Sequence, residues 1–199
     1  MRIGEGMADG RYIYSREFPR IMTKILRVME PWPWCLIGGR SVEIWANPPQ
    51  TPDVDILAAV KDHHVDAIAR RFEKVGVRLV NVWDGLKDPT IFFKDEKLGV
   101  EIDLLSSADP MYTWILERAR RMTIQGVTIP VATPEDIVIM KSRAACGIGR
   151  PKDKRGRDLA AINVISETDI DRDFISESLL QAGWNEERAF LLKNNIIKD

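Results

Sequence analysis

Two short apolar runs carry acids where a buried strand should carry none. One is Asp53-Val54-Asp55-Ile56 and the other is Glu101-Ile102-Asp103-Leu104-Leu105. Side chains alternate along a strand, so Asp53 and Asp55 share one face while Val54 and Ile56 take the other. Glu101 and Asp103 share a face by the same rule. Like charges that close repel each other, and Lys or Thr would serve a solvated strand more cheaply. If the two runs pair side by side, three or four carboxylates converge. A divalent cation turns that repulsion into coordination, and hard oxygen donors suit Mg²⁺ or Mn²⁺. One exposed acidic edge would explain each acid singly but not their joint placement.

Upstream lies Trp34-Cys35-Leu36-Ile37-Gly38-Gly39-Arg40-Ser41. This reads as a short buried strand that ends in two glycines. Glycines let backbone N–H groups approach a bound group closely. A helix beginning near Ser41 would add amides and a dipole that favour an anion. Thirteen residues, Arg40 to Pro52, then separate the glycines from Asp53.

The rest of the chain reads as mixed strands followed by helices. Phe18, Ile21, Met22, Ile25, Leu26 and Met29 fall on one helical face, stopped by Pro31 and Pro33. Asn47 to Pro52 reads as loop. Val65 to Val75 has helical spacing, with Gly76 placed for a left-handed cap. Val77–Val82, Thr90–Lys94 and Val100–Leu105 are expected strands, Met111–Met122 an expected helix, and Val127–Val131 a short extra strand. Thr133-Pro134-Glu135-Asp136 is a strong helix start, running to Cys146. Arg150 to Gly156 is expected to be a basic loop. Helical segments follow over Asp158–Ile165, Phe174–Gln181 and Asn185–Lys193. The expected fold is α+β, a mixed-sheet α/β core over 14–125 followed by a mainly helical region over 126–199 that completes the cleft.

Taken together, these residues resemble the nucleotidyltransferase superfamily related to DNA polymerase beta. Its signature is an apolar residue with Gly-Gly or Gly-Ser, a spacer, then Asp-apolar-Asp/Glu-apolar, and a third carboxylate from a later strand. Here those are Ile37-Gly38-Gly39, Asp53-Val54-Asp55-Ile56 and Asp103. The order Thr133-Pro134-Glu135-Asp136-Ile137, Lys141, Arg150-Pro151-Lys152-Asp153 and Arg157-Asp158-Leu159 is similar to bacterial stand-alone nucleotidyltransferases of the AbiEii toxin type. The resemblance covers roughly Leu36 to Ile165. It implies that Asp53, Asp55 and Asp103 hold Mg²⁺ (or Mn²⁺), with Asp103 as general base. It implies that Gly38, Gly39, Ser41 and Lys141 bind the nucleotide. The implied reaction moves NMP from an NTP to an acceptor hydroxyl. Many relatives carry Arg-x-Thr-x-Asp before the first acid; here Thr51 is present, but Pro49 stands at the Arg position.

Lys141, Arg143, Arg150, Lys152, Lys154, Arg155 and Arg157 form a stretch of seven bases with one acid, Asp153. The whole chain has a net charge of −1, so this is a local positive patch in a molecule that is not globally basic. The patch favours an RNA acceptor, and so does the toxin-type resemblance, which also leaves room for an antitoxin partner. A protein side chain or a small molecule such as an aminoglycoside remains compatible. A degenerate nucleotide-binding module without turnover is the alternative from another class. No apolar run reaches the roughly 18 residues of a membrane span, and no apolar leader segment is visible near Met1. Cys35 and Cys146 make no metal spacing, which fits a reducing cytoplasm. Trp32, Trp34 and Trp45 lie near the expected site but suit core packing better than base stacking.

Overall fold

The computed structural model describes residues 17–46, 53–83, 89–106 and 109–198. The lead-in before Glu17, the proline-rich stretch 47–52 and the Pro49/Thr51 position all lie outside these residues.

The chain opens with α1 (Phe18–Met29), whose apolar stripe is buried except for Leu26, which is half-buried. Next come β1 (Trp34–Ile37), α2 (Gly38–Ala46) and β2 (Val54–Ala58). A single 3-10 turn at Asp62–His64 leads into α3 (Val65–Glu73). Gly76 has φ +76°, the left-handed value that its place after this helix demands. The strands β3 (Arg78–Trp83), β4 (Thr90–Asp95) and β5 (Val100–Ser106) form an antiparallel meander. Then come α4 (Pro110–Arg118), β6 (Arg120–Ile124), β7 (Val127–Val131), α5 (Pro134–Cys146), α6 (Lys152–Ser166), α7 (Arg172–Gln181) and α8 (Asn185–Lys193).

All seven strands join one mixed sheet in the order β3-β4-β5-β2-β1-β7-β6. The central pair β2 and β5 is parallel, as is β1 with β7, and the remaining pairs are antiparallel. The α+β expectation therefore holds. One face of the sheet packs Leu36, Val54, Ile56, Phe93, Ile102 and Leu104 against α1 and α3. The other face packs Cys35, Ile37 and Leu57 against α2, α4 and the carboxyl-terminal helices. Alternation along each strand feeds both cores, as its period of two requires.

Two local expectations are corrected. The helix expected over Met111–Met122 stops at Arg118, and Arg120–Ile124 is an edge strand. Gln125 (φ +48°) and Gly126 (φ +79°) form a two-residue hairpin turn between Ile124 and Val127. Such a turn fixes the pairing of its flanks, which overrides the weak helical spacing. The expected domain boundary at 125/126 falls inside this turn, and both of its strands belong to the sheet. The basic loop expected over Arg150–Gly156 is instead the first turns of α6, which begins at Lys152 directly after Pro151. Proline stands readily just outside a helix start, and Gly156 is carried by the turns around it.

β3 is the outer edge of the sheet, and all six of its residues are exposed. Its ladder with β4 slips between Leu79 and Asn81, so that Val80 has no partner across the strand pair. Among the described residues, no helix is long and apolar enough to cross a membrane.

Candidate active site

The parallel pairing of β2 with β5 sets Asp55 directly opposite Asp103. Val54 faces Ile102 in the same register, so the strand start at Asp53 lies beside Glu101. The acids of two strands distant in sequence thus meet on one face. Their apolar neighbours Val54, Ile56, Ile102 and Leu104 are buried on the other face.

Burial and crowding push all three aspartates up. Asp103 is raised to about 7, first by burial, then by the charges of Asp55, Asp53 and Glu101; Lys154 opposes the rise. Asp55 is raised by burial and by Asp53, against the pull of Lys141 and a hydrogen bond donated by the Gly39 amide. Asp53 is raised by burial and Glu101, against Arg40 and Lys154. Glu101 itself is exposed and pairs with Lys94, its cross-strand neighbour, at 3.4 Å.

The glycines sit over this row. β1 pairs with β2 so that Ile37 is opposite Asp55, and the chain then turns at Gly38 with φ +67°. A Cβ on Gly38 would lie 1.9 Å from Asp55 Oδ2 and 2.4 Å from its Cγ. Only glycine leaves room for the carboxylate there, apart from the backbone angle itself. α2 starts at this residue, three positions earlier than a start at Ser41. The expectation put the Ser41 hydroxyl on the nucleotide. Here Ser41 is fully buried and donates to the Gly38 carbonyl oxygen at 2.8 Å, which holds the turn.

The opposing wall comes from α5 and α6. Thr133 caps α5 by accepting from the Asp136 amide, with Pro134 at the first helical position. Two turns on, Lys141 Nζ donates to Asp158 Oδ1 at 3.2 Å, and its charge is felt at Asp55. Asp158 is 2% exposed and also accepts from Arg150 at 2.7 and 3.0 Å. Arg40 is buried and pairs with Glu43 one turn along α2, at 3.0 Å. Trp45 donates its indole N–H to the Ala132 carbonyl, and Trp34 lies in the core. Both tryptophans therefore serve packing.

Asp53, Asp55, Asp103, Gly38, Gly39 and Lys141 are thus gathered at one place. Sequence reasoning missed Lys154 as a charge close to the acids. The donors present fit a hard divalent cation: all are carboxylates, and their repulsion raises the cost of leaving them without one. As the side chains stand, they form an open row. Among the described residues, no group of three or more His, Cys, Asp or Glu side chains stands close enough together to hold a metal ion as it is.

Residues 19–196 match the family described as "Nucleotidyl transferase of unknown function (DUF2204)". The chain belongs to this family. No curated protein matches this nucleotidyl transferase in sequence. Among solved structures, it is similar to an antigenic nucleotidyltransferase-like protein from Paracoccidioides brasiliensis, at 18% identity and TM-score 0.56, covering 93% of this chain and 95% of that one. It is also similar to ANT(2")-Ia in complex with adenylyl-2"-tobramycin, at 13% identity and TM-score 0.56, covering 83% of this chain and 97% of that one. At these identities the likeness shows a shared fold.

Proposed function

We propose that this nucleotidyl transferase moves NMP from an NTP to an acceptor hydroxyl, releasing pyrophosphate, at the row Asp53, Asp55 and Asp103. The in-register meeting of Asp55 and Asp103 beneath the Gly38 turn carries the reading. Asp103 accepts the proton of the acceptor hydroxyl. The freed oxygen bonds to the α-phosphorus, and the bond to the β-phosphate bridge oxygen breaks. The Gly38 turn approaches the phosphate oxygens, the Gly39 amide holds Asp55 in place beneath them, and Lys141, steadied by Asp158, neutralises the leaving pyrophosphate. The three aspartates would hold Mg²⁺ or Mn²⁺, which when bound supplies neutralisation of the charge that develops on the phosphate.

The acceptor we favour is RNA. Lys152, Lys154 and Arg155 are exposed on the first turns of α6 and make no ion pair among the described residues. Lys154 acts on both Asp53 and Asp103, so this charge lies close to the reacting centre. A second reading is a small polyhydroxyl acceptor. Its support is the fold shared with ANT(2")-Ia, whose structure holds adenylyl-2"-tobramycin.

The deciding experiment incubates the protein with each NTP, Mg²⁺ or Mn²⁺, and either short RNA or tobramycin, with mass spectrometry of the acceptor. NMP addition that is lost in Asp53→Ala and Asp55→Ala, both still folded by circular dichroism, supports the reading. Transfer that persists in those variants overturns it. Nucleotide binding with no transfer to any acceptor leaves the degenerate module.

A further inference from the structure

The face of the sheet that carries the aspartates does not end with them. Alternation on β4 sends Ile91, Phe93 and Asp95 into the core, and leaves Thr90, Phe92 and Lys94 on the face of Asp103. Phe92 is the cross-strand neighbour of Asp103 on one side and of Asn81 on the other. Thr90 lies between Leu105 and Trp83 in the same way. Asp55, Asp103, Phe92 and Asn81 therefore form one row across four strands, with Trp83 in the next row.

This outer strip differs from the rest of that face. Ile37, Leu57 and Leu105 pack under α2, α4 and α5, whereas Phe92 belongs to neither core. Phe92 is half-buried, and Trp83 is 57% exposed at the sheet edge. Neither ring meets another ring among the described residues. Two aromatic rings left partly bare beside a reacting centre invite a flat partner.

Charge narrows the partner further. The strip's bases are already matched, Lys94 by Glu101 and Arg78 by Glu96 at 2.7 Å. A polyamine laid here would find no spare carboxylate outside the aspartate row. An anionic chain would find Lys154 of α6, whose charge reaches both Asp53 and Asp103. Strands are spaced about 4.8 Å apart, so Phe92 starts one strand from Asp103 and Trp83 lies two strands out. A nucleoside holds its base about one such spacing from its 3′-hydroxyl.

We infer that Phe92 and Trp83 are the acceptor's base-stacking platform, and that the acceptor is an RNA 3′ end whose terminal base lies on Phe92 with its hydroxyl at Asp103. This rests on the transfer reaction proposed above and adds the residues that select its acceptor. Stacking on aromatic side chains holds single strands without reading their sequence, so the platform fixes the position of the 3′ end and leaves base identity open.

The test uses two RNA dodecamers that share a 3′-terminal ribose hydroxyl. One carries its terminal base and the other is abasic at that residue. The wild-type protein is expected to prefer the base-bearing RNA by about tenfold in kcat/KM, and Trp83→Ala and Phe92→Leu are expected to erase most of that preference. The KM for RNA should rise in both variants while the KM for NTP holds. Trp83 is at the exposed edge, so its variant tests the platform even if Phe92→Leu folds poorly. An unchanged preference in Trp83→Ala, or faster transfer to tobramycin than to RNA, overturns the platform while leaving NMP transfer intact. If the wild-type protein transfers nothing, the reaction itself fails, and fluorescence anisotropy of the two labelled RNAs then judges the strip alone. Tighter binding of the base-bearing RNA that is lost in Trp83→Ala supports it, and equal binding overturns it.

Discussion

Gly38 decides the geometry of the site more directly than any acid does. Its φ of +67° and the 1.9 Å approach of a built Cβ to Asp55 Oδ2 leave no substitute. Gly38→Ala must displace Asp55 or undo the turn. NMP transfer should then fall by about a hundredfold, the scale of an ångström-level misplacement, with little loss of helical signal in circular dichroism. Asp103 gives a second test. Its folded value of about 7 lies above the 3.8 of an ordinary carboxyl. The folded state therefore binds more protons than the unfolded chain between those values. This group's contribution to stability is full in acid and is lost as pH rises toward 7. Cation-free protein should melt lower at pH 8 than the Asp103→Asn variant does. Adding Mg²⁺ should raise the melting temperature of the wild-type protein more at pH 8 than at pH 6, and should not do so for Asp103→Asn. The aspartates and glycines were legible in the sequence because their spacing expresses a local rule, acid on alternate strand positions and glycine at a strand end. The role of Ser41 was not legible, because a three-residue shift of a helix start turns its hydroxyl from solvent to backbone.

At the scale of elements, α5 and α6 are joined by Asp158, which holds Lys141 and Arg150 together. Asp158→Ala leaves two cations without their shared partner. We expect a loss of about 2–3 kcal/mol in urea unfolding, together with a raised KM for NTP as Lys141 loses its anchor. The start of α5 was readable residue by residue, since Thr133 and Pro134 are local signals that the fold obeys. The start of α6 was hidden by Gly156 and a run of charge that looks like loop. β6 was hidden for a different reason. Arg120 to Ile124 earns its extended form only by pairing with β7, a contact that helical spacing within the segment cannot reveal.

Across the whole molecule, acids and bases nearly cancel, yet they are sorted. Asp53, Asp55 and Asp103 gather at one place on the sheet, and Lys154 of α6 brings a positive charge to them. If three cations, Lys152, Lys154 and Arg155, meet RNA phosphates, the logarithm of affinity should fall against the logarithm of salt with a slope of about −2. Replacing all three by Glu should flatten that slope and weaken RNA binding, as read by anisotropy between low and moderate salt. The sequence could show the basic run but not which members were already engaged. Arg143 with Glu187 and Arg150 with Asp158 are pairings that only the packed chain displays, whereas Arg157 with Asp153 is an i,i+4 pair within α6.

The slipped ladder at Val80 bears on company rather than catalysis. β3 offers Leu79, Val80, Val82 and Trp83 to solvent along an outer rim, the kind of border on which foreign chains grow. The extra residue bends that border and spoils its regular run of donors and acceptors. A chain shortened by Val80 would present a straight, greasy hem. Molecules so altered would stitch themselves together rim to rim, and the larger species would be visible by light scattering at concentrations where the parent stays single.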